Sequence, residues 1–398
     1  MRRSPLAVIY LTVFIDLLGF SIILPLLPFY AEHFGATGVW VGALLTAYSA
    51  VQFVSAPLLG RLSDRVGRRP VLLLSLAGSA VSLAFTGFAQ SLVLLLAGRA
   101  LAGLFGGSIA TAQAYVADVT EPEVRAKYMG LLGASVGLGF VFGPAIGAGF
   151  SRFGFGAAAF FAAGLAAANL AFAYFKLPES RRRGSAPSGR VLPTFAILSN
   201  AFRRPAVARI LAATFLTTFA FVGLEATFAL FSQKRFGLGA GAFGLIFTYL
   251  GVLIVAVQGG LVGRLTARYS ERSLATVGAL VMCLSLAGIA ASPDLPALLV
   301  VVGALAVGQG LLNPTLSALL SRESHRDEQG STLGLGQSLA AAARATGPLV
   351  AGWLYDGTAV LPYVVGAVLV LGTAWLVSQL RISGDISVAQ DGTVARSP

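Results

Sequence analysis

The sequence predicts an all-α integral membrane protein with twelve transmembrane helices, arranged as two related bundles of six. Three observations predict this class: long apolar runs, very few charges, and a motif that occurs twice. Of the 398 residues, 56% are hydrophobic and 11% are charged, whereas soluble chains typically carry about 25% charged residues. The mean hydropathy of +0.82 also favours a chain that crosses a membrane several times.

Twelve apolar runs are long enough, or nearly so, to cross a bilayer core of about 30 Å, which takes roughly 20 helical residues. Helices are expected rather than barrel strands, because no run alternates with a period of two. The runs are numbered here as spans 1 to 12: Leu6–Tyr30, Val39–Leu59, Val71–Ala89, Leu92–Val116, Tyr128–Phe150, Ala157–Lys176, Ala206–Phe231, Gly241–Val262, Leu274–Ser292, Leu295–Leu320, Thr332–Leu354 and Leu361–Leu380.

An arginine-rich segment between spans 2 and 3 is the most polar stretch of the first half. Residues 60–70 read GRLSDRVGRRP, and a related segment, GRLTARYSER, follows at 263–272, about 203 residues later. A Gly-Pro pair in span 5 (Gly143-Pro144) recurs in span 11 (Gly347-Pro348), about 204 residues later. The chain is therefore predicted to consist of two related halves, each with a tight polar hairpin at the membrane surface.

The distribution of positive charge predicts how the chain lies in the membrane. Arginines collect in alternate loops, which places both termini and the 60–70 hairpin on the cytoplasmic side. This placement explains the net charge of +12 better than nucleic-acid binding does, because no basic face with interleaved aromatics is present. The predicted parts are an N-terminal bundle (1–177), a cytoplasmic linker rich in Gly, Ser, Pro and charge (178–205), a C-terminal bundle (206–381) and a cytoplasmic tail (382–398).

Four charged side chains interrupt the apolar spans: Asp16, Arg99, Glu225 and Arg344. A charge at the bilayer centre costs at least ~2.5 kcal/mol, so each is a functional candidate. Asp16 and Glu225 are predicted to carry protons, and Glu225 is preferred because its aromatic neighbours would keep it dry. The arginines keep their charge and need a partner, which the sequence does not show for Arg344. The alternative for all four is a structural role inside a bundle.

The 60–70 segment, the AGRALAG stretch at 97–103 and the glycine-rich stretch at 133–147 together resemble the major facilitator superfamily. The resemblance is closest to its twelve-helix drug/proton antiporters of the tetracycline efflux branch, and it covers nearly the whole chain. It implies the fold of that superfamily, alternating access, a monomer without cofactor or metal, and a place in a bacterial inner (plasma) membrane. A glycine-rich span 5 that ends in Gly-Pro is associated with exporters.

The resemblance also assigns roles to individual residues. Arg99 is linked to proton coupling, and Asp64 is expected to meet the start of span 11 across the seam between the halves, with the loop arginines pairing to Asp118. The predicted substrate cavity comprises Asp16, Arg99, Gln113, Glu225, Asn313 and Arg344. The predicted cytoplasmic latch comprises Gly60, Asp64, Arg65, Gly67, Arg68, Arg69 and Asp118. The span 5 motif comprises Gly133, Gly137, Gly143, Pro144 and Gly147, which allow close helix packing.

Two departures bear on the substrate. Ser82 and Met282 stand where tetracycline efflux proteins carry an aspartate, and Glu225 is an addition, which counts against tetracycline. The sequence predicts a transporter rather than an enzyme: proton-coupled export of lipophilic, drug-like compounds, with tetracycline among the candidates. The expected partners are such a compound, protons and the bilayer, without nucleic acid. The alternatives are a proton-coupled importer of a small metabolite and a membrane scaffold or receptor that transports nothing.

Overall fold

The computed structural model describes residues 5–180, 203–324 and 329–380, and the regular structure in these ranges is helical throughout. The predicted fold class is confirmed, and each of the twelve spans contains helix. The observed bounds are Pro5–Ile23 and Leu27–His33 (span 1), Gly38–Val66 (2), Arg68–Gly87 (3), Leu92–Leu104 and Ser108–Val119 (4), Pro122–Phe150 (5), Phe155–Lys176 (6), Pro205–Phe236 (7), Ala240–Ala256, Val257–Leu261 and Val262–Thr266 (8), Glu271–Ala291 (9), Leu295–Arg322 (10), Gln329–Gly357 (11) and Leu361–Ser378 (12). Most of the predicted linker and the predicted tail lie outside the described residues.

Span 11 differs from the other spans in polarity. Within the described ranges, 11 helical segments are both long and apolar enough to cross a membrane, and span 11 is not among them. Its helix is nevertheless 29 residues long. Small and polar residues lower its hydropathy, and it packs between spans 2 and 7, so that protein rather than lipid surrounds much of its surface.

The predicted hairpin at 60–70 is shorter than expected. The helix of span 2 continues through the charged residues to Val66, and span 3 begins at Arg68. Only Gly67 separates the two helices, with a φ of +107° that favours glycine. The expectation of a polar loop was therefore wrong in its extent, because a helix can continue past the apolar core once its side chains reach water.

Three spans depart from continuous α-helix. Span 1 breaks at residues 24–26, where Pro25 lacks the amide that a helix needs. Span 4 breaks at residues 105–107, which include Gly106 and Gly107. Span 8 contains a π-helical turn over Val257–Leu261, a feature that is frequent at functional sites. The break in span 4 makes Ser108 the first residue of a second helix in the interior of the first half.

The two halves have differently organised cores. Buried apolar residues of spans 7–12 form one continuous cluster that includes Met282. Those of spans 1–6 form two clusters, and the division falls between Leu17 and Leu18 of span 1. Ser82 of span 3 is also buried. A polar region therefore separates the two apolar layers of the first half at mid-span.

The halves meet along two seams, between spans 2 and 11 and between spans 5 and 8. We call the side that holds the loop between spans 1 and 2 the outer side, and the side that holds Gly67 the inner side. At the outer side both seams are closed by backbone contact. A β-carbon on Gly42 would overlap the Pro348 carbonyl, and one on Gly244 would lie 2.9 Å from the Pro144 carbonyl oxygen. The two Gly-Pro pairs therefore occupy equivalent places in the two halves.

At the inner side the same four helices are separated. A β-carbon on Gly133 of span 5 or Gly334 of span 11 would meet no atom within 4 Å. Leu58 at the inner end of span 2 is 57% exposed, and Leu131 of span 5 is 45% exposed. The structure is therefore a conformation in which a cleft between the halves is open to the inner side and closed to the outer side.

Candidate functional site

Asp16 lies in the polar region at the centre of the first half. It is 9% exposed, and the Ser108 hydroxyl donates a hydrogen bond of 2.6 Å to Asp16 Oδ2. Ser79 of span 3 lines the same cavity as this carboxylate. The break in span 4 places Ser108 at the start of a new helix, and from there its hydroxyl reaches Asp16. The carboxylate is thus held by a hydroxyl group of span 4, with a further hydroxyl of span 3 in the same cavity.

Arg99 lies in the first helix of span 4 and is 4% exposed. Its guanidinium carbon lies 4.7 Å from the centre of the Tyr48 ring and 5.4 Å from that of Phe20, within the range of cation–π attraction. Its Nε donates a long hydrogen bond of 3.5 Å to the Leu44 carbonyl. The sequence required a partner for this cation, and the structure supplies two aromatic rings and a carbonyl.

A small cavity of about 50 Å³ connects Asp16 with Arg99. Gln52 lines it and donates to the Tyr48 hydroxyl at 3.0 Å and to the Gly106 carbonyl at 2.7 Å. Sequence reasoning missed Tyr48 and Gln52. Their spacing of four residues places them on one face of span 2 and was an available signal. The polar residues that line the cavity are Asp16, Tyr48, Gln52, Ser79, Ser82, Thr86, Arg99 and Ser108.

Glu225 and Arg344 supply opposite charges from the second half. Glu225 is partly buried and Arg344 is exposed, and the two groups act on each other electrostatically. Arg344 also acts on Tyr48 of the first half. Between the described residues no hydrogen bond or close ion pair joins Arg344 to Glu225, so the interaction is electrostatic at longer range and a direct partner of Arg344 stays unassigned. Both halves contribute charge to one central region.

Gln113 and Asn313 do not join this cluster. Both are exposed, and neither lines the cavity between Asp16 and Arg99. Gln113 lies in the second helix of span 4, and Asn313 lies near the middle of span 10. Their predicted place in a substrate cavity stays a prediction about the wider cleft.

The predicted latch residues form a network around Arg68. Its guanidinium lies 2.7 Å from Asp64 Oδ1 and 2.9 Å from Asp118 Oδ2, and it also donates to the Ser63 hydroxyl. Arg69 turns instead to span 6, where it donates to the Tyr174 carbonyl. Arg65 is exposed, and a β-carbon on Gly60 would meet no atom within 4 Å. The expected contact between Asp64 and the start of span 11 stays a prediction.

Glu179, which the sequence analysis did not single out, anchors this network from the end of span 6. Its two carboxylate oxygens accept hydrogen bonds from the backbone amides of Arg68, at 2.9 Å, and Arg69, at 3.2 Å. A β-carbon on Gly67 would lie 2.5 Å from Glu179 Oε2. Gly67 is therefore required for the close approach as well as for its backbone conformation.

The span 5 motif divides between packed and open glycines. Side chains on Gly143 and Gly147 would overlap Ser21 and Ile22 of span 1, so these glycines allow the two helices to touch. A β-carbon on Gly137 would make only an ordinary contact with Val255, and one on Gly133 would meet no atom within 4 Å. Pro144 presents its carbonyl to span 8. The motif thus packs tightly at the outer side and is open at the inner side.

Twelve helical spans in two halves, a cleft closed at its outer end and charges at its centre define a multi-pass membrane transporter. A family model described as Major Facilitator Superfamily matches residues 9–292 and, in a second match, 240–385. The chain belongs to this superfamily.

Similar proteins are consistent with that assignment. The class C tetracycline resistance protein of Escherichia coli is 33% identical over 381 residues, which cover 93% of this chain and 95% of that protein. The crystal structure of the human organic anion transporter MFSD10 is 28% identical with a TM-score of 0.69, covering 94% of this chain and 99% of the other. A further match is a bacterial homologue of the human lysosomal transporter Spinster, solved in an inward-facing and occupied conformation. Its TM-score is 0.75 at 14% identity, and the match covers 94% of this chain and 93% of the other. This match shows the shared fold alone.

Proposed function

We propose that the protein is a proton-coupled exporter of lipophilic, drug-like compounds that works by alternating access. The observation that carries this proposal is the presence of a carboxyl group inside a span of each half, Asp16 and Glu225, near arginines that keep their charge. Such groups are costly inside a membrane and are typical of proton relays. The tetracycline resistance relatives support export.

The open inner cleft suits the loading step. A lipophilic compound would enter from the cytoplasm or the inner leaflet, and the halves would then rock to open the outer side. Protons arriving from outside would bind a carboxylate, favour release and allow the return. A membrane potential contributes ~2.3 kcal/mol per charge per 100 mV, which is sufficient to drive outward pumping.

The charge of the substrate decides the sign of the coupling. A cationic compound and a proton would compete for Glu225, and such competition produces antiport. The partial burial of Glu225 in span 7 and its electrostatic interaction with Arg344 support this exchange. Export of a cationic or zwitterionic lipophilic compound is therefore the function that we favour.

A second candidate, transport of organic anions, is favoured by the exposure of Arg344. An anion would bind Arg344 most readily when Glu225 is protonated and has released the arginine. Proton and anion would then move in the same direction. The similarity to MFSD10, which is named an organic anion transporter, supports testing this alternative.

Sealed proteoliposomes with an acidic interior would test both candidates. Three probes that differ in charge would be used: tetracycline, the cationic dye ethidium and the anionic dye carboxyfluorescein. Antiport predicts uptake of tetracycline or ethidium against its gradient as protons leave, and an uncoupler should abolish it. If only carboxyfluorescein moves, and moves outward with the protons, the anion candidate replaces the first.

The Glu225→Gln and Asp16→Asn variants should remove the coupling, because neither amide can bind and release a proton near neutral pH. Gradient-driven accumulation is expected to fall to the level of empty vesicles, and the pH dependence of transport should disappear. Glu32→Gln is the matched control, since Glu32 is exposed at the end of span 1. Wild-type accumulation in the double variant Asp16→Asn/Glu225→Gln would refute proton transfer through these groups.

A further inference from the structure

Asp356, at the outer end of span 11, binds the first turn of span 2 in the opposite half. Its Oδ1 accepts a hydrogen bond of 2.6 Å from the Gly38 amide, and its Oδ2 accepts one of 3.0 Å from the Val39 amide. The first amides of a helix have no partner within the helix, and a carboxylate is favoured at that end by the helix dipole. Because the two groups belong to different halves, these bonds require a closed outer side.

The surroundings of this contact allow the close approach. A β-carbon on Gly38 would lie 2.6 Å from the Gly352 carbonyl oxygen and 2.8 Å from Asp356 Oδ1. Thr37, at the cap position of span 2, makes no capping hydrogen bond with its own side chain. Asp356 therefore supplies from the other half the cap that the local sequence does not make.

Spans 2 and 11 run in opposite directions, and each has an aspartate near its C-terminal end. Asp64 lies at the inner side, where span 11 begins, and Asp356 lies at the outer side, where span 2 begins. In this structure the outer aspartate caps its opposite helix, whereas Asp64 forms an ion pair with Arg68 at 2.7 Å. The seam between spans 2 and 11 thus has an aspartate at each end, and at the closed outer end that aspartate caps the opposite helix.

The other seam provides an internal comparison. The residue in the same register as Asp356, 204 positions earlier, is Arg152, which lies in the short 3-10 turn just after span 5. The Ser151 hydroxyl approaches the first turn of span 8 there, since a β-carbon on Gly241 would lie 2.9 Å from it. That hydroxyl instead donates a hydrogen bond to the Ala148 carbonyl. In the described structure, span 8 is not capped by a side chain at its first turn.

We propose that Asp356 is the outer gate residue of this transporter: it stabilises the inward-open state by capping span 2, and it must leave that helix before the outer side opens. The proposal shares alternating access with the proposed function and is independent of the substrate and of the proton. It makes Asp356 a positioning residue, which acts on the conformational step without contact with cargo.

The test measures the populations of the two conformations directly. The single cysteine is first replaced (Cys283→Ala). Spin labels are then attached in pairs, at His33→Cys and Lys234→Cys across the outer side, and at Lys127→Cys and Arg268→Cys across the inner side. All four labelled positions are exposed. With Asp356→Ala, we expect the ratio of inward-open to outward-open molecules to fall about fivefold, which corresponds to the roughly 1 kcal/mol lost with a helix cap. The outer distance should lengthen as the inner distance shortens.

The controls separate a gate from a general structural role. Asp356→Glu keeps the carboxylate and should restore part of the ratio, and Arg152→Gln, at the same register of the other seam, should leave it unchanged. Distances in Asp356→Ala that equal those of the parent at both sides would overturn the proposal. The distance measurement needs neither substrate nor pH gradient. A failed coupling experiment would therefore not overturn the gate proposal, and unchanged distances in Asp356→Ala would not overturn proton-coupled export.

Discussion

The outer and inner ends of the seams between the halves are built in different ways. At the outer end, Gly42 and Gly244 remove side chains so that backbones touch, and Asp356 adds a charged cap. At the inner end, the helices separate, and Arg68 pairs with both Asp64 and Asp118 of its own half. The outer closure depends on close backbone packing. We predict that the inner closure depends instead on polar groups that exchange partners.

The largest effect is expected from a side chain placed in the outer seam. Gly42→Ala puts a methyl group onto the Pro348 carbonyl, a backbone atom that cannot turn away. Overpacking of this kind costs about 1–3 kcal/mol, so the ratio of inward-open to outward-open molecules should fall by roughly 5- to 150-fold. The spin-label distances measure this shift, and export of the active probe should fall with it.

Gly164→Ala is the matched control for Gly42→Ala. Gly164 lies in span 6, and a β-carbon there would meet no atom within 4 Å. We expect wild-type distances and export from this variant. If Gly42→Ala also keeps the wild-type distance distribution, the outer seam does not depend on backbone contact at this position.

An intermediate effect is expected at the inner end. Asp64→Asn removes the charge that would favour the start of span 11 when the inner side closes, a contribution of ~0.3–1 kcal/mol for an exposed group. It also weakens the ion pair with Arg68 that this structure contains. Export should be strongly reduced, while the amount of protein in the membrane stays the same. Unchanged export at equal membrane levels would remove Asp64 from the latch.

The smallest effect on access is expected from Glu179→Gln. Glu179 accepts two hydrogen bonds from the start of span 3 within the same half, and neither of these two bonds crosses a seam. Loss of one charged cap should lower thermal stability by about 0.5–2 kcal/mol and leave the ratio of conformations unchanged. Melting of the purified protein and the inner-side distance measure these two quantities separately. A shifted ratio would show that the anchor belongs to the gate.

Much of this architecture was predictable from the sequence. Runs of roughly 20 apolar residues must form helices in a bilayer, because lipid cannot satisfy backbone groups, and the repeated Gly-Pro pairs correctly indicated two equivalent halves. Charged residues inside the runs, such as Asp16 and Glu225, were also identifiable, because their burial is costly. Span ends were less predictable, since a helix such as span 2 continues into water beyond its apolar run.

The partners of those charges were decided by the tertiary structure. Arg99 meets Tyr48 and Phe20, and Arg344 comes within electrostatic range of Glu225, only because separate spans converge at mid-membrane. Asp356 and Gly38 lie 318 positions apart, and no local pattern links them. A sequence specifies which groups are costly to bury and where helices form, since both follow from local composition. The pairing of distant groups, and the end at which the seams close, depend on how the helices pack.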